Sequence, residues 1–114
     1  MTDCIFCRIV RGEIPSQTVY QNEWVTAFHD IAPKAPVHIL IVSNKHLSGP
    51  LGVEETDAPI IGEIALAANR IARQLGFAAN GFRLVANEGH DGSQSVAHLH
   101  FHLLAGRRLG WPPG

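Results

Sequence analysis

An α+β domain, with an antiparallel sheet and one long helix packed on one of its faces, is the fold class the sequence predicts, on three observations. Short β-prone runs stand before and after a single long stretch of helical periodicity. In that stretch Ile60, Ile61, Ile64, Ala68, Ile71, Ala72 and Leu75 recur at the spacing of one helix face. The chain has 114 residues, enough for one domain to bury a core without disulfide staples.

Taken in order, Ile5, Phe6, Ile9 and Val10 suit a short N-terminal helix over residues 4–11, ended by Gly12 and followed by Pro15. Residues 18–20 and 24–28 are β-prone and separated by Gln21, Asn22 and Glu23, which predicts a hairpin. Two prolines in residues 31–36 cannot continue a ladder, whereas residues 37–42 form the best central strand of the chain. The long helix spans residues 57–75, with acids before it, Pro59 in its first turn and Gly76 after its end. Residues 82–86 are a strand, 87–94 a polar loop rich in turn residues, and 96–104 a last strand. The domain is expected to cover residues 1–114, with 107–114 an irregular C-terminal tail.

Nine basic and ten acidic residues leave a net charge of -1, so no basic field holds a nucleic acid or an anionic membrane, and a small ligand is the expected partner. Asp3 stands where a signal peptide needs positive charge, and apolar runs such as 39–42 fall far short of a spanning helix. A soluble, cytoplasmic protein is the expectation. The two cysteines, Cys4 and Cys7, stand three apart, which in a reducing compartment points to metal or redox use before a structural disulfide.

The seven histidines are the unusual part of the composition. In a strand over 96–104 the period of two puts His98, His100 and His102 on one face, ~7 Å apart, and Leu99, Phe101 and Leu103 on the other. Solvation alone does not select imidazole three times. Imidazole suits a nucleophile, a proton carrier near neutral pH or a metal ligand. Two chemistries follow: the histidines chelate a catalytic zinc with an open position for water, or one of them attacks phosphorus and is nucleotidylated. The loop with Asn87, Gly89, Gly92, Ser93, Gln94 and Ser95 favours the second, because its small residues and uncharged donors can surround phosphate oxygens close to the nucleophile.

These residues resemble the histidine triad family, whose motif alternates histidine with apolar residues as 98–104 do here. The likeness is to its Hint branch, the purine nucleoside phosphoramidases, and extends through residues 28–31, 35–38, 87–89, 91–95 and 111–114 in the same order. It implies the histidine triad fold, a five-stranded antiparallel sheet with one long and one short N-terminal helix, assembled as a homodimer. It also implies a hydrolase or transferase that cleaves the phosphorus–nitrogen bond of purine nucleoside phosphoramidates through a nucleotidyl-histidine. His100 would then be the nucleophile, His102 would bind phosphate or help protonate the leaving group, and His38 would hydrogen-bond within the triad. Asn87 and Ser95 would contact phosphate, with Ser93, Gln94 and Val96 beside them. Asp30 would hold the ribose, as two acceptor oxygens suit two hydroxyls. Phe6, Ile9, Ile14, Phe28 and Ile31 would line the base pocket, and Trp111 would reach the neighbouring subunit's site.

Ser93 departs from the second glycine common in animal Hint proteins, which also lack Cys4 and Cys7. The cysteines resemble those of zinc-bearing bacterial members, which implies Cys4, Cys7, His46 and His98 as ligands of a closed structural zinc, with no catalytic cofactor. His98 would then not be free to orient His100 through the same ring nitrogen, and that duty would pass to His38 or to backbone groups. The alternatives are a zinc-dependent hydrolase with the His strand as ligands, a dinucleoside polyphosphate hydrolase, and a non-catalytic nucleotide-binding module.

Overall fold

The computed structural model describes residues 4–114; Met1, Thr2 and Asp3, and with them the acidic start, lie outside the described residues. Helix α1, Ile5–Val10, is capped by Cys4, whose Sγ accepts from the Cys7 amide at 3.4 Å. Strands β1, Thr18–Gln21, and β2, Val25–His29, form the hairpin. Its turn is held by Asn22, whose Oδ1 accepts from the amides of Trp24 at 2.8 Å and Val25 at 2.9 Å. The chain continues through β3, Val37–Ser43, then two single turns of tighter helix at Pro50–Gly52 and Glu55–Asp57. Helix α2, Ala58–Leu75, ends on Gly76 at φ 86°, a left-handed cap that favours glycine. Strands β4, Arg83–Ala86, and β5, His100–Ala105, complete the chain.

All four pairings are antiparallel, in the order β1-β2-β3-β5-β4, so β4 is an outer strand and β3 and β5 lie side by side. The register assigns the two faces. Val25, Ala27, Ile39, Ile41 and Leu103 point to one face, where Ile60, Ile64, Ala68 and Ile71 of α2 cover them in the larger core. Phe28, Leu40 and Val42 point to the other, where Phe6 of α1 joins them in a smaller cluster. His100 pairs with Val42 and His102 with Leu40, so both histidines stand on the α1 face.

One expected element is shorter than its sequence suggests. The last strand begins at His100, not at residue 96, and residues 96–99 turn instead. The His98 amide donates to the Val96 carbonyl at 2.9 Å, a contact across two residues that an extended strand does not make. His98 therefore lies outside the alternation that places His100 and His102, and the expectation of three histidines in one strand is corrected to two. The reason is tertiary: the His98 side chain is fully buried against Cys4, Cys7 and His46.

Candidate active site and metal centre

A cavity of about 830 Å³ opens on the α1 face, in the size range of small-molecule sites. Its wall is apolar where Phe6, Ile9, Ile14, Phe28 and Ile31 line it, and polar where Asp30, Ser95, His100 and His102 do. Val96 also lines it. Phe6 meets Phe28 edge to face, with centroids 5.7 Å apart, and meets His100 in the same way at 5.1 Å. Aromatic faces and edges of this kind form a rigid wall suited to a planar base.

The hydrogen bonds fix the tautomer of each histidine at the site. The Lys34 amide donates to His38 Nδ1 at 3.0 Å, so that nitrogen carries no proton. Nε2 of the neutral ring then carries it and donates to His102 Nδ1 at 2.9 Å, with Asp30 Oδ2 at 3.3 Å on the same side. His102 consequently keeps its own proton on Nε2. His100 Nδ1 lies 2.6 Å from the His98 carbonyl, which can only accept, so Nδ1 is protonated and Nε2 holds the lone pair. Backbone groups thus begin both chains, as expected for the orientation of His100, and the structure identifies them as the His98 carbonyl and the Lys34 amide.

Burial is the leading reason that His38 and His102 stay neutral. It lowers the pKa of His38 against the opposing pull of Asp30. For His102, burial followed by the neighbouring His100 and His38 pushes it down to about 4.

A second cluster adjoins the first. His98 Nδ1 is 3.2 Å from Cys4 Sγ, 3.6 Å from Cys7 Sγ and 3.1 Å from His46 Nδ1, and Cys7 Sγ is 3.3 Å from His46 Nδ1. Tetrahedral zinc, with Zn–S of ~2.3 Å and Zn–N of ~2.0–2.1 Å, separates its ligand atoms by roughly 3.3–3.6 Å in such pairs. The four donors lie within a few tenths of an ångström of those separations. His98 Nε2 donates to the Ser43 carbonyl at 2.7 Å, the outward hydrogen bond that a metal-bound imidazole makes. Burial pushes the Cys7 thiol up, so its thiolate calls for a cation beside it. The residues therefore fit a closed Cys2His2 metal site. Asp30, His38 and His102 also converge, but there the Nε2 proton of His38 occupies the space between the rings.

The remaining predicted residues serve the loop or the surface. Asn87 Nδ2 donates to the Gly92 carbonyl at 2.6 Å. Gln94 accepts from the Gly89 amide at 2.9 Å and donates to the Ser48 carbonyl at 2.8 Å, so its amide stitches the loop to the segment after β3. Ser93 adopts φ 59°, a left-handed conformation that favours glycine. Trp111 is exposed and rests against Arg83, whose guanidinium carbon is 5.9 Å from its ring centre and whose Nη2 donates to the Gly110 carbonyl at 2.8 Å. Sequence reasoning missed Lys34 and Ser43, which act through backbone groups and leave no mark in residue type.

Residues 11–109 match the HIT domain. A 14 kDa zinc-binding protein of Brassica juncea is 45% identical over 114 residues, covering 98% of this chain and 100% of that protein. Adenylylsulfatase HINT1 of Arabidopsis thaliana is 45% identical over 112 residues, 96% of this chain and 76% of the relative. The crystal structure of a HIT family hydrolase from Legionella pneumophila superposes with a TM-score of 0.95 at 41% identity, covering 98% of this chain and 100% of that one.

Proposed function

The chain belongs to the HIT domain family, and from that premise we propose that it is a nucleotide hydrolase that cleaves the phosphorus–nitrogen bond of purine nucleoside phosphoramidates through His100. The observation that carries this reading is the His100 tautomer. With Nδ1–H held by the His98 carbonyl, Nε2 presents its lone pair beside a cavity with an apolar wall for a base. Nε2 attacks the α-phosphorus, the bond to the leaving nitrogen breaks, and the amine departs with a proton from solvent. The adduct ring is an imidazolium, whose Nδ1–H makes a charge-assisted bond to the His98 carbonyl. Water then attacks phosphorus and gives a proton back to solvent, the Nε2–P bond breaks, and nucleoside monophosphate leaves with neutral His100 restored.

His102, kept neutral by burial, serves as a hydrogen-bond donor through Nε2 to a phosphate oxygen. Asp30 accepts from the Ala32 amide through Oδ1 at 2.8 Å and lines the cavity, so the carboxylate is set to take ribose hydroxyls. Zinc is the metal proposed for Cys4, Cys7, His46 and His98. Four protein donors leave no position for a reactive water, so the metal supplies fold and site rigidity. The zinc-binding name of the Brassica relative supports this assignment.

The test is covalent trapping with an adenosine phosphoramidate. Wild-type protein is expected to yield an adenylyl adduct on His100, and His100→Ala to lose several orders of magnitude in rate while still binding nucleotide, as removal of a nucleophile does. Near wild-type turnover in purified His100→Ala would exclude the covalent route. The homodimer is proposed on the outer strand β4, which carries a ladder on one side, and on exposed Phe82 and Trp111 beside it. The reducing cytoplasm is its proposed location, since Cys4 and Cys7 form no disulfide and stand together as metal donors.

A further inference from the structure

His98 belongs to both clusters. Its ring is one of the four metal donors, and its main-chain carbonyl holds the Nδ1 proton of His100. That carbonyl lies before the first residue of β5, so it is not one of the rungs of the ladder that begin at His100. Two anchors set its direction: the Leu99 amide of the same peptide unit donates at 2.7 Å to the Leu47 carbonyl, next to the ligand His46, and the fully buried His98 side chain is anchored through Nδ1 on Cys4, Cys7 and His46 and through Nε2 on Ser43. The cysteines have a second connection. They flank Phe6 on α1, and the Phe6 ring stands edge to face against His98 at 5.8 Å and His100 at 5.1 Å. Phe6 and Cys4 pack in the smaller cluster, while Leu47 and Leu99, next to His46 and His98, reach the larger core under α2.

From this the geometry points to the Cys4, Cys7, His46 and His98 centre as the device that aligns the nucleophile, with His98 as the positioning residue: ligand donors on its ring hold the carbonyl that fixes the His100 tautomer, and through Phe6 they hold the cavity wall. The inference rests on the reading of His100 as nucleophile. It goes beyond a staple for the fold: Leu47 and Leu99, next in sequence to the ligands His46 and His98, stay packed in the core under α2, so loss of the metal should disturb the site before it unfolds the domain. A displacement of the reacting nitrogen by about 1 Å costs on the order of a hundredfold in rate, so small movements of one carbonyl suffice.

The experiment compares zinc-loaded full-length protein with the Cys4→Ser/Cys7→Ser double variant. In the loaded protein the buried, hydrogen-bonded Nδ1–H of His100 should give a slowly exchanging low-field proton resonance, identified by its absence in His100→Ala. In the double variant that resonance should vanish, and adenylyl-adduct formation should slow by roughly tenfold to a hundredfold, with the far-ultraviolet circular dichroism retained. An unchanged resonance and an adduct rate within about twofold of wild type would overturn the inference. Should the double variant not fold, cobalt-substituted wild-type protein decides the matter. Saturation with adenosine monophosphate should shift the visible bands of the cobalt, and an unmoved spectrum would overturn the coupling. Neither the resonance nor the cobalt spectrum requires turnover. A failure to trap any adduct therefore counts against the proposed reaction, while these readouts still judge the coupling.

Discussion

At the scale of single residues, the neutral imidazoles make stability depend on acidity. An imidazole in the unfolded chain titrates near pH ~6.5, whereas burial lowers the pKa of His38 and pushes that of His102 down to about 4. Over that interval the unfolded chain binds more protons, so the stabilisation is full above about pH 6.5 and is lost as pH falls through it towards 4. Urea midpoints measured at pH 7.5 and pH 5 should therefore differ, with a smaller difference in His102→Asn; equal slopes in the two proteins would show that His102 contributes nothing. Gly92 carries a different burden. A Cβ there would press on the Glu88 carbonyl oxygen and stand 2.8 Å from the Glu88 amide nitrogen, both of them backbone atoms that cannot swing aside. Gly92→Ala should shift the loop that Asn87 and Gln94 tie together and slow turnover by about tenfold or more, which steady-state kinetics would detect; wild-type kinetics would mean that the loop is not held where the reaction needs it.

At the scale of elements, the two helices divide their duties. Ile64 of α2 is 1% exposed in the larger core, whereas Ile9 of α1 is half-buried and lines the cavity. Ile64→Ala should cost about 2–5 kcal/mol of stability with little change in nucleotide affinity, while Ile9→Ala should weaken nucleotide binding at a much smaller thermal cost. Calorimetry alongside binding titration would separate the two, and a large melting shift for Ile9→Ala would refute the division. The same contrast explains what could be read in advance. Helix α2 has the long apolar period, Pro59 and Gly76, all of them local signals, and it folds where they predict, within a residue. Residues 96–99 have the composition of a strand but turn, because the His98 ring is drawn to cysteines more than ninety positions away. Likewise Gln94 reads as a phosphate donor from its neighbours, yet spends its amide within the protein on Ser48 and Gly89. Local chemistry was legible at the site, and the partners that engage it came from distant segments.

At the scale of the whole molecule, the proposed homodimer is expected to form through the outer strand β4. Strand β4 runs antiparallel to β5 on one side only, Phe82 just before it is 42% exposed, and the tail lies against Arg83. A wild-type dimer in sedimentation equilibrium that dissociates in Phe82→Ser is the expected outcome, and a monomeric wild-type protein at micromolar concentration would contradict it. Among the described residues no helix is long and apolar enough to cross a membrane.

The cavity and the larger core lie on opposite faces of one sheet, sharing its backbone and few of its side chains. Such a chain can accumulate changes among Ile5, Ile9, Ile14 and Ile31 almost neutrally with respect to folding, because the residues that pay for order are elsewhere. New preferences for base or leaving group are then reachable by single steps through folded intermediates, and the architecture favours a lineage whose members diverge in what they cleave long before they diverge in shape.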